Sequence, residues 1–180
     1  FKTSTLGDIK SKKKILFNRR KLNLYEFWKK FELSCSTIKT IEKLTKKNNI
    51  DLIFSVFDSE SLEKLKNIKF KYLKIASSDV TDWVLLNKVK KVNKPIIMST
   101  GMSSKKEISE ALKILKQKKV ILLHCVSLYP CEFKDINLKR MEVLSNTFNR
   151  LVGFSDHTIG VGAAIYAITK GAKFIEKHFT

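Results

Sequence analysis

The stretch "KPIIMSTGMSSKKEISEALKILKQKKVILLHC" (residues 94–125) shows most clearly which fold class the chain has. Both of its ends are short apolar runs, and an amphipathic segment lies between them. Ile108, Leu112 and Leu115 have the spacing of one helix face and predict a buried stripe. Ser104 with Glu107 three residues later is the signature of a capping box at a helix start. The stretch therefore predicts a strand, a helix and a second strand, which is the repeating unit of a parallel α/β sheet.

The same pattern recurs about every 20 to 30 residues along the chain. Amphipathic helices separate the apolar runs, and Ser59 is the predicted N-cap of the helix after the first run. A doubly wound sheet and a (β/α)8 barrel both fit this alternation. The even spacing favours the barrel, as does the lack of a glycine-rich nucleotide-binding loop after any run. The six runs are "DLIFSVF" (51–57), "KYLKIAS" (71–77), "KPIIMST" (94–100), "KVILLHC" (119–125), "RLVGFS" (150–155) and "AKFIEKHF" (172–179).

A complete barrel needs eight strands and about 250 residues. Six runs in 180 residues predict one partial barrel domain over residues 1–180, truncated at its N-terminus, with about strands 3–8 present and a further strand end at Phe1–Thr3. We expect this fold class to be α/β.

The composition restricts the class of protein. The net charge is +19, but the lysines are scattered over helical segments, and only "KSKKK" (10–14) and "NRRK" (18–21) form blocks. Aromatic residues do not alternate with them, so exposed helix faces are favoured over a basic RNA-binding module, which stays the alternative from another class. No apolar run reaches the roughly 18 residues of a membrane span. The three cysteines lack disulfide or zinc spacing, which predicts a cytoplasmic protein.

Polar side chains stand at the last positions of the apolar runs, as in "SSD" (77–79), "STG" (99–101) and "SDH" (155–157). In a barrel these positions meet at the carboxyl ends of the strands, where active sites lie. Lys74 is unusual because it stands inside a run, where burial is costly unless the ammonium meets an anion. Cys125 ends an apolar run without a neighbouring base and is not expected to be a nucleophile.

Two histidines stand at the ends of the last two runs. His157 and His178 follow closely on Asp156 and Glu176, and two neutral imidazoles on adjacent strands can share a divalent metal ion. The two acids would then support the ligands or cap neighbouring backbone. His124 fits a core histidine and a site residue equally well.

The motifs "KIASSD", "IIMSTGM", "LLHCVSLYP", "INL", "VGFSDHTIG" and "FIEKHFT" resemble, in this order and spacing, the sialic acid synthase family. The resemblance covers nearly the whole chain, and the pair "SDHT" and "EKHFT" is its most specific part. It implies a (β/α)8 barrel that condenses phosphoenolpyruvate with an N-acetylmannosamine-type sugar and releases phosphate. It also implies a divalent metal, Mn²⁺ with Mg²⁺ or Co²⁺ as alternatives, a homodimer, and a C-terminal antifreeze-like domain outside this sequence.

The resemblance also assigns residues by motif. His157 and His178 would bind the metal, and Asp79 and Tyr129 would face the sugar, with Lys74, Asp79, His157 and His178 as the catalytic set. Phosphoenolpyruvate would be held by Lys74, Ser55, Ser77, Ser127 and Ser155.

Several features depart from the family pattern. The glutamate of the first strand and a lysine expected just before Phe1 lie outside the sequence, so we expect the segment to be inactive alone. "HCVS" replaces "HCTN", while "KIASSD" and "LLHC" differ from the "SFE" and "LLKC" of pseudaminate synthases. These motif differences favour neuraminate or legionaminate synthesis. Pseudaminate and spore-coat polysaccharide synthases of the same family stay alternatives. A Schiff-base aldolase with Lys74 as nucleophile is the remaining enzymatic alternative.

Overall fold

The computed structural model describes residues 14–17, 20–116 and 118–179. The predicted strand end at Phe1–Thr3 and most of the "KSKKK" block lie outside these residues. The chain divides into two compact units, Phe1–Lys71 and Tyr72–Thr180. None of the helices in the described ranges is long and apolar enough to cross a bilayer.

Among the described residues of the first unit, the earliest elements are an antiparallel pair of strands that the sequence did not predict. The unit then carries two helices, a short strand and a third helix. Asn23 caps the first of these helices, because its side chain accepts hydrogen bonds from the backbone N–H groups of Tyr25 and Glu26. The elements are β1 (Lys14–Phe17), β2 (Arg20–Asn23), α1 (Leu24–Lys29), α2 (Cys35–Lys47), β3 (Ile53–Ser55) and α3 (Ser59–Glu63).

The N-cap of α3 is Asp58, so the prediction of Ser59 was wrong by one residue. The buried carboxylate of Asp58 accepts from the backbone N–H of Ser61 at 2.7 Å and from its hydroxyl at 2.8 Å. Both residue types favour N-cap positions, and the carboxylate satisfies two donors here.

The second unit alternates strands and helices, as the sequence predicted. Its five strands pair in parallel and in sequential order, which is the order of a barrel, whereas a doubly wound sheet reverses its strand order. The elements are β4 (Tyr72–Ile75), α4 (Trp83–Val89), β5 (Ile96–Ser99), α5 (Lys105–Leu115), β6 (Val120–Cys125), α6 (Lys139–Phe148), β7 (Val152–Asp156), α7 (Gly162–Thr169) and β8 (Ile175–Lys177), with single 3-10 turns at Ser77–Asp79 and Phe133–Asp135.

Helix α5 confirms the capping box read from the sequence. The Ser104 hydroxyl accepts from the backbone N–H of Glu107, and the Glu107 carboxylate accepts from the backbone N–H of Ser104 at 2.7 Å. These backbone and side-chain hydrogen bonds lower the pKa of Glu107. Ile108 and Leu115 are buried and Leu112 is partly buried, so the predicted apolar stripe does face the core.

The sheet is strongly curled across the five strands of the second unit. Tyr72 on β4 and Phe174 just before β8 have ring centroids 6.0 Å apart, and both pack on a core of Ile97, Ile121 and Leu123. In a flat sheet, strands four places apart lie roughly 19 Å apart. The side chains of this set therefore line a concave face, and α6 and α7 pack against β6 and β7 on the convex side. The structure thus supports the coarser prediction of a barrel-like α/β fold.

Candidate functional site

The concave face changes from apolar to polar at the carboxyl ends of its strands. Ile121 and Leu123 point into the apolar core. One step further along, Cys125, Ser155 and Glu176 are register partners on β6, β7 and β8. The carboxyl ends of parallel strands all lie at the same edge of the sheet. These three side chains therefore form one polar cluster next to the apolar core.

Lys74 reaches this cluster from β4. Its side chain is only 12% exposed, and its Nζ lies 3.3 Å from Oε1 of Glu176. The sequence argument required an anion for this lysine, and the protein itself supplies one. The burial of Lys74 therefore does not by itself require a bound ligand.

Ser155 connects Glu176 to His157. The Ser155 hydroxyl donates to Oε1 of Glu176 at 2.6 Å, and its oxygen is 3.3 Å from Nε2 of His157. The other ring nitrogen, Nδ1, is 2.7 Å from the carbonyl oxygen of Val126. A carbonyl only accepts, so Nδ1 carries the hydrogen and, in the neutral ring, Nε2 has a free lone pair.

The two predicted metal ligands are neighbours. The ring centroids of His157 and His178 are 5.6 Å apart, and the ring of Tyr129 lies 4.1 Å from the first and 5.7 Å from the second. Two imidazoles, one with a lone pair fixed on Nε2, fit a divalent ion as part of its ligand set. In the described ranges no group of three His, Cys, Asp or Glu side chains could hold an ion. The remaining ligands of such an ion would come from elsewhere.

A buried ion pair fixes the two strand ends that carry these histidines. Asp156 is fully buried on the convex side, and its carboxylate accepts from Lys177 Nζ at 2.8 Å and from the Thr158 backbone N–H at 2.8 Å. Burial raises the pKa of Asp156, but the bonds from Lys177 and Thr158 together outweigh it, and the pKa lies below its ordinary value. Asp156 and Lys177 are register partners, each directly before a histidine. Lys177 was not among the site residues predicted from the sequence.

Ser77 is held between β5 and β6. Its hydroxyl accepts from the backbone N–H of Gly101 at 3.2 Å and contacts the Cys125 sulfur at 3.0 Å. Ser77 does not cap the 3-10 turn that it begins, because Ala76 occupies the N-cap position and no side chain caps the turn. A Cβ on Gly101 would lie 2.6 Å from the Cys125 sulfur and 3.1 Å from Oγ of Ser127, so only glycine allows this close approach.

Asp79 follows Ser77 in the same 3-10 turn. One carboxylate oxygen accepts from the Ser78 hydroxyl at 3.0 Å, whereas Oδ2 is buried and has no hydrogen-bond partner among the described residues. Burial raises the pKa of this carboxyl group. An unpartnered buried oxygen at the carboxyl end of β4 is a candidate acceptor for a ligand hydroxyl.

The other predicted residues have different positions. Tyr129 is 67% exposed, and the partial burial of its phenol raises its pKa, with a smaller contribution from Cys125 and Glu176 nearby. Ser127 is half-buried beside Gly101. Ser55 ends β3 in the first unit, and its predicted contact with phosphate stays a prediction.

His124 is a core histidine. It is 2% exposed on the convex side, where Nε2 donates to the Ile136 carbonyl at 2.6 Å and the ring lies 5.7 Å from that of Phe154. Burial lowers the pKa of His124. Of the two interpretations that the sequence left open, the structure selects the structural one.

The fold and this cluster define a curled parallel α/β domain with its polar groups at the carboxyl ends of the strands. The model of the NeuB family matches residues 2–180, and the chain belongs to that family. It is 42% identical over 156 residues to the N,N'-diacetyllegionaminic acid synthase of Campylobacter jejuni, covering 84% of this chain and 47% of that protein. It is 36% identical over 162 residues to the pseudaminic acid synthase of Helicobacter pylori, covering 88% of this chain and 48% of that protein.

The crystal structure of an N-acetylneuraminic acid synthetase from Leptospira borgpetersenii has the same fold. It superposes with a TM-score of 0.83 at 34% identity, covering 87% of this chain and 55% of that one. The chain spans about half the length of the curated relatives it matches. The predicted family is therefore confirmed.

Proposed function

We propose that the complete protein condenses phosphoenolpyruvate with an N-acetylmannosamine-type sugar to give a nonulosonic acid, and that this chain carries about strands 3–8 of its barrel. The observation that supports the proposal most directly is that the ring centroids of His157 and His178 lie 5.6 Å apart. Both rings lie beside the polar cluster of Lys74, Ser155 and Glu176. Relatives of the family are named as synthases of such acids.

The residues of this chain have separable roles in that reaction. Lys74 would bind an acidic group of phosphoenolpyruvate, with the hydroxyls of Ser77, Ser127 and Ser155 around it. Asp79 would accept a hydrogen bond from a sugar hydroxyl through its unpartnered Oδ2, and Tyr129 would line the rim. Holding both substrates together supplies the effective concentration that a two-substrate reaction needs.

His157 and His178 would hold a divalent ion, Mn²⁺ or alternatively Mg²⁺ or Co²⁺. Such an ion acts as a Lewis acid on a carbonyl oxygen, here the aldehyde of the open-chain sugar. The hydrogen bond from Nδ1 of His157 to Val126 keeps Nε2 available as a ligand atom. C3 of phosphoenolpyruvate forms the new bond to the aldehyde carbon, water adds at C2, and phosphate leaves with cleavage of its bond to C2.

The proposal is tested on the complete protein with phosphoenolpyruvate and two sugars, N-acetylmannosamine and a di-N-acetylated analogue. We expect equal amounts of phosphate and 2-keto acid to form with at least one sugar. We also expect EDTA to stop the reaction and Mn²⁺ to restore it. Turnover that is indifferent to EDTA, or a pyruvate adduct of Lys74 trapped by borohydride, would favour the aldolase alternative instead.

A further inference from the structure

We propose that Glu176 is a positioning residue that holds Lys74 and Ser155 as one unit at the proposed phosphoenolpyruvate site. The inference rests on the proposed function and gives Glu176 a role other than the one expected from the sequence, which was to support the metal ligands or cap neighbouring backbone. Three strands contribute to the unit, because Lys74 lies on β4, Ser155 on β7 and Glu176 on β8.

A single carboxylate oxygen makes both contacts. Oε1 of Glu176 is 2.6 Å from the Ser155 hydroxyl and 3.3 Å from the Lys74 ammonium. The Ser155 contact is a short hydrogen bond to a carboxylate, which is stronger than a neutral one, and the Lys74 contact is an ion pair. The long Lys74 side chain is thereby held across the concave face towards a strand four places away in the sheet order.

The contact to Glu176 also sets the direction of the Ser155 hydroxyl. An ionised carboxylate can only accept, so the hydrogen of Ser155 points to Glu176 and its lone pairs point elsewhere. One neighbour of those lone pairs is Nε2 of His157, at 3.3 Å, whose own hydrogen sits on Nδ1. In the neutral ring no hydrogen lies between these two acceptors. Glu176 thus turns Ser155 to accept from whatever donor or cation enters beside His157.

A purely structural role explains this arrangement poorly. The pair is partly exposed, with the Lys74 side chain 12% and the Glu176 side chain 38% accessible, and ion pairs in contact with water add little stability. The concave face directly below the cluster is apolar, with Ile121 and Leu123 fully packed. An apolar side chain in place of Lys74 would continue that core without needing Glu176. The charged pair is therefore explained by a binding role, because it holds the Lys74 ammonium at the carboxyl ends of the strands.

The test is Glu176→Gln in the complete protein. The amide keeps the size of the side chain but loses the charge that binds Lys74. We expect the KM and the Kd for phosphoenolpyruvate to rise about tenfold or more, as for the loss of a charge-assisted hydrogen bond. The KM for the sugar should change less than about twofold, whereas partial unfolding would lower kcat and leave both KM values unchanged.

Two further variants sharpen the result. Glu142→Gln removes a carboxylate from the exposed side of α6 and should leave every constant unchanged. Ser155→Ala combined with Glu176→Gln should weaken phosphoenolpyruvate binding by less than the product of the two single effects, because both variants break one coupled unit.

The outcomes separate this inference from the proposed function. If the wild-type protein uses phosphoenolpyruvate but Glu176→Gln changes its KM and Kd by less than about twofold, the positioning role is wrong while the function stands. If the wild-type protein neither binds nor consumes phosphoenolpyruvate, the proposed function fails and crystal structures of both proteins decide. A displacement of Lys74 Nζ and Ser155 Oγ in the Glu176→Gln structure would support the positioning role. Positions unchanged within about 0.5 Å would overturn it.

Discussion

The two faces of the sheet at the ends of β6 and β7 use the same residue types in opposite ways. His124 points to the convex side, where its ring is buried and its Nε2 donates to the Ile136 carbonyl. His157 stands at the concave side, and its backbone bond to Val126 leaves Nε2 free to bind. Both rings donate to a carbonyl, so the hydrogen bond alone does not distinguish them. What differs is the surroundings of the ring: His124 is buried on the convex side, whereas His157 has Ser155 and His178 beside it.

The largest expected difference between the faces is catalytic. In the complete protein, His157→Ala and His178→Ala should each lower kcat/KM for the condensation by at least about 100-fold, because metal polarisation of a carbonyl contributes several kcal/mol. His124→Gln should keep most of the activity, since an amide can still donate to Ile136. Steady-state kinetics with Mn²⁺ and circular dichroism of each variant measure this. Near-normal turnover of either alanine variant would remove that histidine from the metal site.

A packing difference of intermediate size is expected at Gly101. A methyl group there would meet the Cys125 sulfur at 2.6 Å and its carbonyl oxygen at 2.7 Å, and the strand cannot move without disturbing Ser77. Gly101→Ala should therefore lower the free energy of unfolding by about 2 kcal/mol, in the range for overpacked sites. Urea unfolding measures the change.

The matched control is Gly162→Ala at the start of α7. No atom lies within 4 Å of a Cβ at that position, and alanine favours the helix by up to about 1 kcal/mol. Gly162→Ala should be neutral or stabilising. Equal losses in both variants would mean that the close approach of Gly101 to Cys125 does not limit the packing.

The sequence predicted the parts of this molecule that depend on local pattern. Apolar runs, the capping box of α5 and the meeting of strand ends follow from periodicity and from the parallel order of the strands. The proximity of His157 and His178 was predicted because each ends one of two successive strands, which are neighbours in a barrel. Local pattern also showed that Lys74 needs an anion, but it did not identify which one.

The features that the sequence did not reveal depend on the register and curvature of the sheet. Lys74 and Glu176 are four strands apart in the sheet order, and only the curl of the sheet brings their charges to 3.3 Å. The alternation of side chains along β6 places His124 and its two neighbours on opposite faces of the sheet. It does not show which face is concave, because both faces are apolar in the middle of the strand. The β1–β2 pair was missed because its basic residues, including Arg20 and Lys21, do not alternate with apolar ones.

The smallest predicted effect is the pH dependence of stability caused by His124. Burial lowers the pKa of this ring in the folded state, and the nearby Arg140 charge adds to the effect against the opposing hydrogen bond to Ile136. Below the unfolded pKa of about 6.5, the unfolded chain binds a proton that the folded chain does not. The free energy of unfolding should therefore fall as the pH drops below that value, by at most about 1.4 kcal/mol per pH unit from this group, until the folded pKa is reached.

His124→Gln should flatten this part of the profile, because glutamine does not titrate and can still donate to Ile136. The comparison is made by urea unfolding of both proteins between about pH 7 and pH 5, where an ordinary histidine gains its proton. Identical slopes would show that His124 gains its proton as easily in the folded chain as in the unfolded one. The convex side would then be open to water, and the contrast with the concave face would rest on His157 and His178 alone.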